Sequence, residues 1–254
     1  MKTPAGSRLA RACIRFYAEL NDHLLPSDRY REVEKTFFVS PTVKDAIESF
    51  GVPHSEVELI VINGESVGFG QLLHDGDRVA VYPVFESVDV TPELRVRERP
   101  LRDLKFVLDV HLGKLAGYLR MLGFDVVYRN DASDPELVRI SSEEQRVLLT
   151  RDRGLLMHSA ITHGYWVRAT DSRRQAAELV RRFDLKSAFD PFSRCIACNT
   201  LLHRVEKAAV AERLQPRTAE VFQEFLRCGG CGRIFWKGSH YRRMRQWIAQ
   251  LAES

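Results

Sequence analysis

Lys105-Phe106-Val107-Leu108-Asp109-Val110 is a short apolar run closing on a carboxylate, and its neighbours decide the fold of the middle of the chain. His111 to Leu122 follows, with Leu112, Leu115, Leu119 and Leu122 at the three- and four-residue intervals of one helix face. Gly123 breaks that helix, and Phe124-Asp125-Val126-Val127-Tyr128 supplies a second strand. Pro135 to Arg146 reads as a second helix, with Asp134 as its N-cap and Pro135 at the first helical position. Val147-Leu148-Leu149-Thr150 is a third strand, followed at once by Arg151-Asp152. Tyr165 to Ala169 makes a fourth, with Asp171 just beyond it, and a helix from Arg173 to Phe183 closes the unit. Strands alternating with helices predict an α/β domain over 104–188, built on a mostly parallel sheet buried on both faces.

In an open parallel sheet, ligands bind beyond the carboxyl ends of the strands. Asp109, Asp152 and Asp171 each follow a predicted strand, and Asp134 opens a helix after a strand and loop. Carboxylates held close repel one another unless a cation neutralises them. Hard oxygen ligands suit Mg²⁺ or Mn²⁺, and a pair of such ions can activate water and stabilise the leaving oxygen in phosphodiester cleavage. An aspartate after a strand also commonly does no more than cap the next helix, so placement alone leaves both readings open. His111 follows Asp109 closely enough to invite a general-base role, but metal-activated water needs no histidine. Lys114, Arg120, Arg151 and Arg153 stand near these acids as candidate contacts for substrate phosphates, or simply as their ion-pair partners.

The C-terminal segment, 190–254, carries Cys195-Ile196-Ala197-Cys198 and Cys228-Gly229-Gly230-Cys231, two CxxC pairs separated by 29 residues. Two such pairs predict a closed four-thiolate site of the structural zinc kind, a zinc-ribbon-like module. Cys13 lies in the first predicted strand and reads as a buried apolar residue. Around the module, Arg227, Arg233, Lys237, His240, Arg242, Arg243 and Arg245 alternate with Phe235, Trp236, Tyr241 and Trp247. Rings beside guanidinium groups suit stacking on unpaired bases; the same rings could instead pack a module poor in aliphatic residues.

Residues 8–87 read as a small β-rich domain. Ala12 to Tyr17 opens as a strand, and Phe37-Phe38-Val39 is a second apolar run. Ser40 to Gly51 is a helix with Thr42 as N-cap and Asp45 three residues on. Val57 to Ile62 runs into an Asn63-Gly64 turn, and Arg78 to Pro83 follows a second turn. Strand, strand, helix, strands is the order of a β-grasp domain. A linker is expected over 87–104.

Phe106 to Ala116, Tyr118 to Phe124 and Leu148 to Leu155 resemble the RNase domain of the Mut7-C family, a branch of the PIN-like nucleases. The resemblance extends through the cysteine module and to that family's ubiquitin-like domain upstream, and so spans nearly the whole chain. It implies a Mg²⁺- or Mn²⁺-dependent ribonuclease fold in which Asp109, Asp134 and Asp152 match the acidic positions, with Asp171 the loosest match. Glu144 competes for an acidic role, but it lies nearly three turns along its helix from the strand-end rim. Ubiquitin-like sulfur carriers end in Gly-Gly; here Val81 to Glu86 continues into more protein, so no conjugation chemistry is carried over.

Charge is uneven. By lysine and arginine against aspartate and glutamate, residues 1–90 carry −5 (9 against 14), residues 91–189 carry +4 (18 against 14) and residues 190–254 carry +5 (11 against 6). The two later segments favour a polyanion such as RNA and the first does not; for the ubiquitin-like segment a packing role or docking to a protein partner is expected. No apolar run approaches the roughly 18 residues of a membrane span, and no secretory signal opens the chain, so a cytoplasmic setting is expected. The leading expectation is a divalent-metal-dependent ribonuclease. The alternative is a non-catalytic RNA-binding or adaptor protein on a PIN-like scaffold.

Overall fold

The computed structural model describes residues 9–83, 95–96 and 104–253, so the expected linker lies almost entirely outside the described residues. The first strands and helix are β1 Ala10–Phe16, β2 Glu32–Phe37, α1 Val43–Glu48, β3 Val57–Ile62, β4 Glu65–Ser66 and β5 Arg78–Pro83. There follow β6 Lys105–Leu108, α2 Gly113–Met121, β7 Asp125–Tyr128, α3 Asp134–Glu143, β8 Val147–Thr150, α4 Arg153–Leu156, β9 Gly164–Trp166 and α5 Ser172–Arg182. The chain closes with β10 Leu202–Val205, α6 Pro216–Val221, β11 Phe225–Cys228, β12 Ile234–Trp236 and α7 Ser239–Glu253. Two compact units result: one joins the residues before Leu104 to Asp134–Trp166, the other joins Leu104–Ser133 to Val167 and beyond. No helix among the described residues is long and apolar enough to cross a membrane.

In the first unit the N-terminal sheet has the order β2-β1-β5-β3-β4, with β1 parallel to β5 and the other neighbours antiparallel, a β-grasp arrangement. Its core gathers Ile14, Phe16, Leu20, Ile47, Ile60 and Val81. Asn63 and Gly64 both take positive φ (52° and 93°), as the tightest hairpin turns require. Thr42 caps α1 by accepting from Asp45 N–H at 3.1 Å, while its hydroxyl donates to the Asp45 carboxylate at 2.7 Å. The second strand lies earlier than the apolar run Phe37-Phe38-Val39 suggests. As an edge strand it buries Val33 and Phe37 while Glu32 and Glu34 face out, and Phe38 and Val39 are exposed beyond its end. Alternating acids disguised it in the sequence.

The same unit contains β8, paired in parallel with β9, and α3 and α4. α3 stops at Glu143, short of Arg146, because Gln145 turns left-handed (φ 53°) and Arg146 N–H returns to the Ser141 carbonyl at 3.0 Å. A polar seam ties these elements to the β-grasp sheet. Ser55 Oγ donates to the Leu156 carbonyl at 3.1 Å, and the buried Glu56 carboxylate accepts from Trp166 N–H and from His23 Nε2, the latter at 2.9 Å. A Cβ on Gly164 would come within 2.5 Å of the Leu156 side chain and 3.0 Å of the Ser55 hydroxyl, so a larger residue there would have to displace both.

In the second unit β6 runs parallel to β7, and Phe106 meets Phe124 and Phe183 edge-on at 6.0 and 5.8 Å. Leu112, Leu115, Leu119 and Leu122 are buried as their spacing predicts. Gly123, at φ 104°, brings the chain against the Asp190 carbonyl, where a Cβ would sit 2.4 Å away. Asp190 N–H and Phe192 N–H then bond the carbonyls of Leu122 and Met121, clamping the C-terminal segment to the end of α2. That segment forms an antiparallel sheet in the order β10-β11-β12, with α7 after it.

Candidate active site and metal centre

Asp109 is the residue at which β6 stops being a strand. Its carbonyl accepts from Leu112 N–H at 2.9 Å, starting the turn that leads into α2, and its side chain is buried at 7% exposure. The turn is braced by Tyr128 at the end of β7, whose hydroxyl donates to the Val110 carbonyl at 3.0 Å. Gly113 makes room for that ring, since a Cβ there would stand 2.6 Å from the hydroxyl.

Two residues beyond Asp109 the backbone enters a cleft of about 510 Å³ lined by His111, Lys114, Thr170, Asp171, Ser172 and Gln175. Asp171 caps α5, its Oδ1 accepting from Arg173 and Arg174 N–H at 3.1 and 3.0 Å. The loop carrying it is fixed from α5 itself. Glu178 accepts from Arg168 and Ala169 N–H, each at 2.9 Å, and Gln175 donates to the Ala169 carbonyl at 2.9 Å. Tyr128, Gln175 and Glu178 escaped sequence reasoning because each acts through a backbone group that only the fold brings near. The one available signal was an amide and an acid on the buried side of a short amphipathic helix.

Asp134 and Asp152 belong to the first unit. Asp134 is the exposed first residue of α3, one position inside the expected cap. Asp152 caps α4 through Oδ1 on Gly154 N–H at 2.7 Å, and its own N–H reaches the fully buried Thr150 hydroxyl at 2.9 Å. Glu144 lies past the end of α3 and pairs with Arg146 at 2.7 Å. Among the basic candidates Lys114 and Arg151 are exposed, Lys114 in the cleft. Arg153 donates to the His23 carbonyl at 3.4 Å and lies 5.2 Å from the Trp166 ring centre.

Arg120 is placed otherwise than a phosphate contact would be. It is 5% exposed, and its guanidinium donates to the carbonyls of Val126 (2.9 and 3.1 Å), Ala197 (2.9 Å) and Ile196 (3.3 Å). It therefore pins the first CxxC loop to β7. Burial lowers its pKa from the usual arginine range, against the opposing pull of the nearby Cys198 and Cys195. Asn199 adds a second pin at a left-handed φ of 71°, accepting from Val126 N–H at 3.0 Å and donating to Asp125 at 2.9 Å.

Cys195, Cys198, Cys228 and Cys231 present sulfurs that all lie within 4.8 Å of one another. Among the described residues this is the group of cysteine, histidine and carboxylate ligands gathered tightly enough to hold a metal ion. Burial pushes the Cys195 thiol up to about 12. At Cys198 burial also opposes ionisation, but hydrogen bonds with Thr200 and with Cys228 outweigh it and pull the thiol down to about 6. An ion taking all four as thiolates would displace the remaining protons on binding.

The family model for the Mut7-C RNase domain matches residues 104–248, more than half of the chain. The chain belongs to the Mut7-C RNase domain family. A second family model, for the Mut7-C ubiquitin domain, matches residues 9–89, the β-grasp part. No match was found among curated proteins. The Mut7-C match spans the parallel strand pairs of the PIN-like fold and the zinc-ribbon-like cysteine module together. It also contains all four strand-end aspartates, Asp109 and Asp171 in the second unit and Asp134 and Asp152 in the first.

Proposed function

We propose that this Mut7-C protein is a divalent-metal-dependent ribonuclease that hydrolyses RNA phosphodiester bonds. The observation that carries the reading is the buried Asp109 carboxylate at the carboxyl end of a parallel strand, two residues before a cleft shared by His111, Lys114 and Asp171, within a region that matches an RNase domain. Asp109 would take part in holding Mg²⁺ or Mn²⁺, for which carboxylate oxygens are the fitting donors, and Asp134, Asp152 and Asp171 are the other acids we assign to catalysis. When bound, such an ion supplies the charge that makes water nucleophilic at neutral pH and offsets charge on the leaving oxygen.

The protein's own part is positioning. Tyr128 fixes the turn after Asp109, Glu178 and Gln175 fix the loop before Asp171, and Thr150 fixes the backbone of Asp152. Lys114 lines the cleft and would orient a phosphate oxygen. We assign the four cysteines to a structural zinc ion, because a closed set of four thiolates leaves no position for substrate. Arg120 sets a guanidinium beside that anionic centre.

Mn²⁺ binding followed by calorimetry, alongside cleavage of a labelled single-stranded RNA, tests the assignment. Both should be lost in Asp109→Asn and kept in Glu144→Gln. Loss in Glu144→Gln with retention in Asp109→Asn would move the site elsewhere.

A further inference from the structure

The cleft that holds Asp171 does not stand alone in the second unit. Asp171 and Ser172 line it, and the next residue, Arg173, lines a smaller hollow of about 160 Å³ together with Tyr118, His240, Arg243, Met244 and Trp247. His240, Arg243, Met244 and Trp247 fall three and four residues apart along α7 and so share one face of it. Trp247 is set against Tyr118 with ring centres 4.8 Å apart, which holds that face to α2. The residues lining the hollow include two arginines and a histidine and no carboxylate.

Met244 also lines a third concavity, of about 340 Å³, against β11 and β12. Its walls include Phe192, Phe235, Trp236 and Tyr241, and Arg204 and Lys237 line it as well. Glu224, the acid in its lining, is already engaged by Lys237 at 2.6 Å and Arg204 at 3.3 Å. The rings here are not simply the core of the module. Phe225 fills that role at 1% exposure, whereas Trp236 is 40% exposed.

Three hollows in succession, the first two adjoining at Ser172 and Arg173 and the last two sharing Met244, thus pass from a polar one holding Asp171 and Lys114 to a basic one to an aromatic one. An anion fits the middle one, and a flat apolar ring fits the last, whose volume is at the lower end of the roughly 300–1,000 Å³ typical of small-molecule sites. A single nucleic-acid strand offers both in alternation, phosphate and unstacked base, whereas a duplex keeps its bases stacked away from such a groove.

We propose that α7 and the β11–β12 face form a substrate tract for single-stranded RNA. An unpaired base lies against Trp236 and Tyr241, the adjoining phosphate rests on Arg173 and Arg243, and the strand continues to the cleft that holds Asp171 and Lys114. The tract extends the ribonuclease reading and rests on it for the identity of the strand.

The test is binding of a fluorescent twelve-residue oligouridylate to the full chain carrying Asp109→Asn, which blocks cleavage under that reading. Trp236→Ala and Arg243→Glu should each weaken binding by roughly five- to a hundredfold, the range for loss of one stacked base, while Arg243→Lys restores most of it. Oligouridylate should quench tryptophan fluorescence, and Trp236→Phe should remove that quenching. Metal content and thermal midpoint serve to show that each variant is folded. Inorganic polyphosphate should feel Arg243→Glu but quench no tryptophan. Unchanged binding in both folded variants, or equal quenching by polyphosphate, would overturn the tract. If the wild-type chain cleaves no RNA while Trp236→Ala and Arg243→Glu still weaken binding, the tract stands and the nuclease reading falls.

Discussion

His54 shows how a single buried side chain gives the protein a pH dependence. Burial lowers its pKa from the ordinary value near 6.5, with Lys44 adding to the effect and the hydrogen bond to Glu48 at 2.6 Å opposing it. The unfolded chain therefore takes up the proton at a higher pH than the folded one. Stability from this residue is complete above about pH 6.5 and falls as the pH drops through the lowered folded value. Thermal melts from pH 8 to 5 should show that decline, and His54→Gln should make the curve flatter; an identical slope in both proteins would exclude His54 as its source. Arg120 makes the second residue-scale case. Arg120→Ala removes the guanidinium donors from the carbonyls of Ile196, Ala197 and Val126, at about 1–3 kcal/mol for the buried contact to Val126. The variant should lose its cysteine-bound metal to a chelator faster than the wild type. A variant as stable and as slow to release metal would show that the guanidinium is dispensable.

Among the elements, the seam between the β-grasp sheet and the β8–β9 pair is the feature most sensitive to one substitution. Glu56→Ala strips partners from His23 Nε2 and Trp166 N–H in a dry site where His23 Nδ1 already has no hydrogen-bond partner among the described residues. Leaving a buried hydrogen-bonding group without its partner costs about 1–3 kcal/mol. Urea unfolding should register that loss, and a change below about 1 kcal/mol would contradict the seam. Glu56 could not be found from sequence, because its partners are 33 and 110 residues away and nothing local marks the pairing. The elements themselves were far more legible. Leu112, Leu115, Leu119 and Leu122 announced α2, and Val147 to Thr150 announced β8, because burial on the sheet demands a plain apolar pattern. β2 was missed since an edge strand needs only alternate apolar residues, and α3 was drawn too long since nothing in Glu144-Gln145-Arg146 marks a left-handed turn. The cysteines were legible through their spacing. Arg120 was misjudged because an arginine's environment is set by the neighbouring chain, here the CxxC loop.

At the level of the whole molecule, the two proposed metal roles differ in ligand chemistry. Soft thiolates gather at Cys195, Cys198, Cys228 and Cys231, and hard carboxylates stand at the ends of β6 and β8 and at the starts of α3 and α5. The two should therefore respond differently to metal removal. A thiol-reactive mercurial or a strong zinc chelator such as EDTA should unfold the C-terminal module, seen as a change in the surroundings of Trp247, whereas withholding Mg²⁺ and Mn²⁺ should abolish cleavage without that change. Simultaneous loss of both at the mildest treatment would mean that one ion serves both roles. The central claim is that the strand-end aspartates are the catalytic centre, and it is met most directly by a rate. In Mg²⁺ or Mn²⁺, cleavage of single-stranded RNA by Asp109→Asn and by Asp152→Asn should fall by about 10²–10³ or more, as when a group stabilising transition-state charge is removed, with fold and cysteine-bound metal unchanged. Cleavage at the wild-type rate by both variants would contradict it.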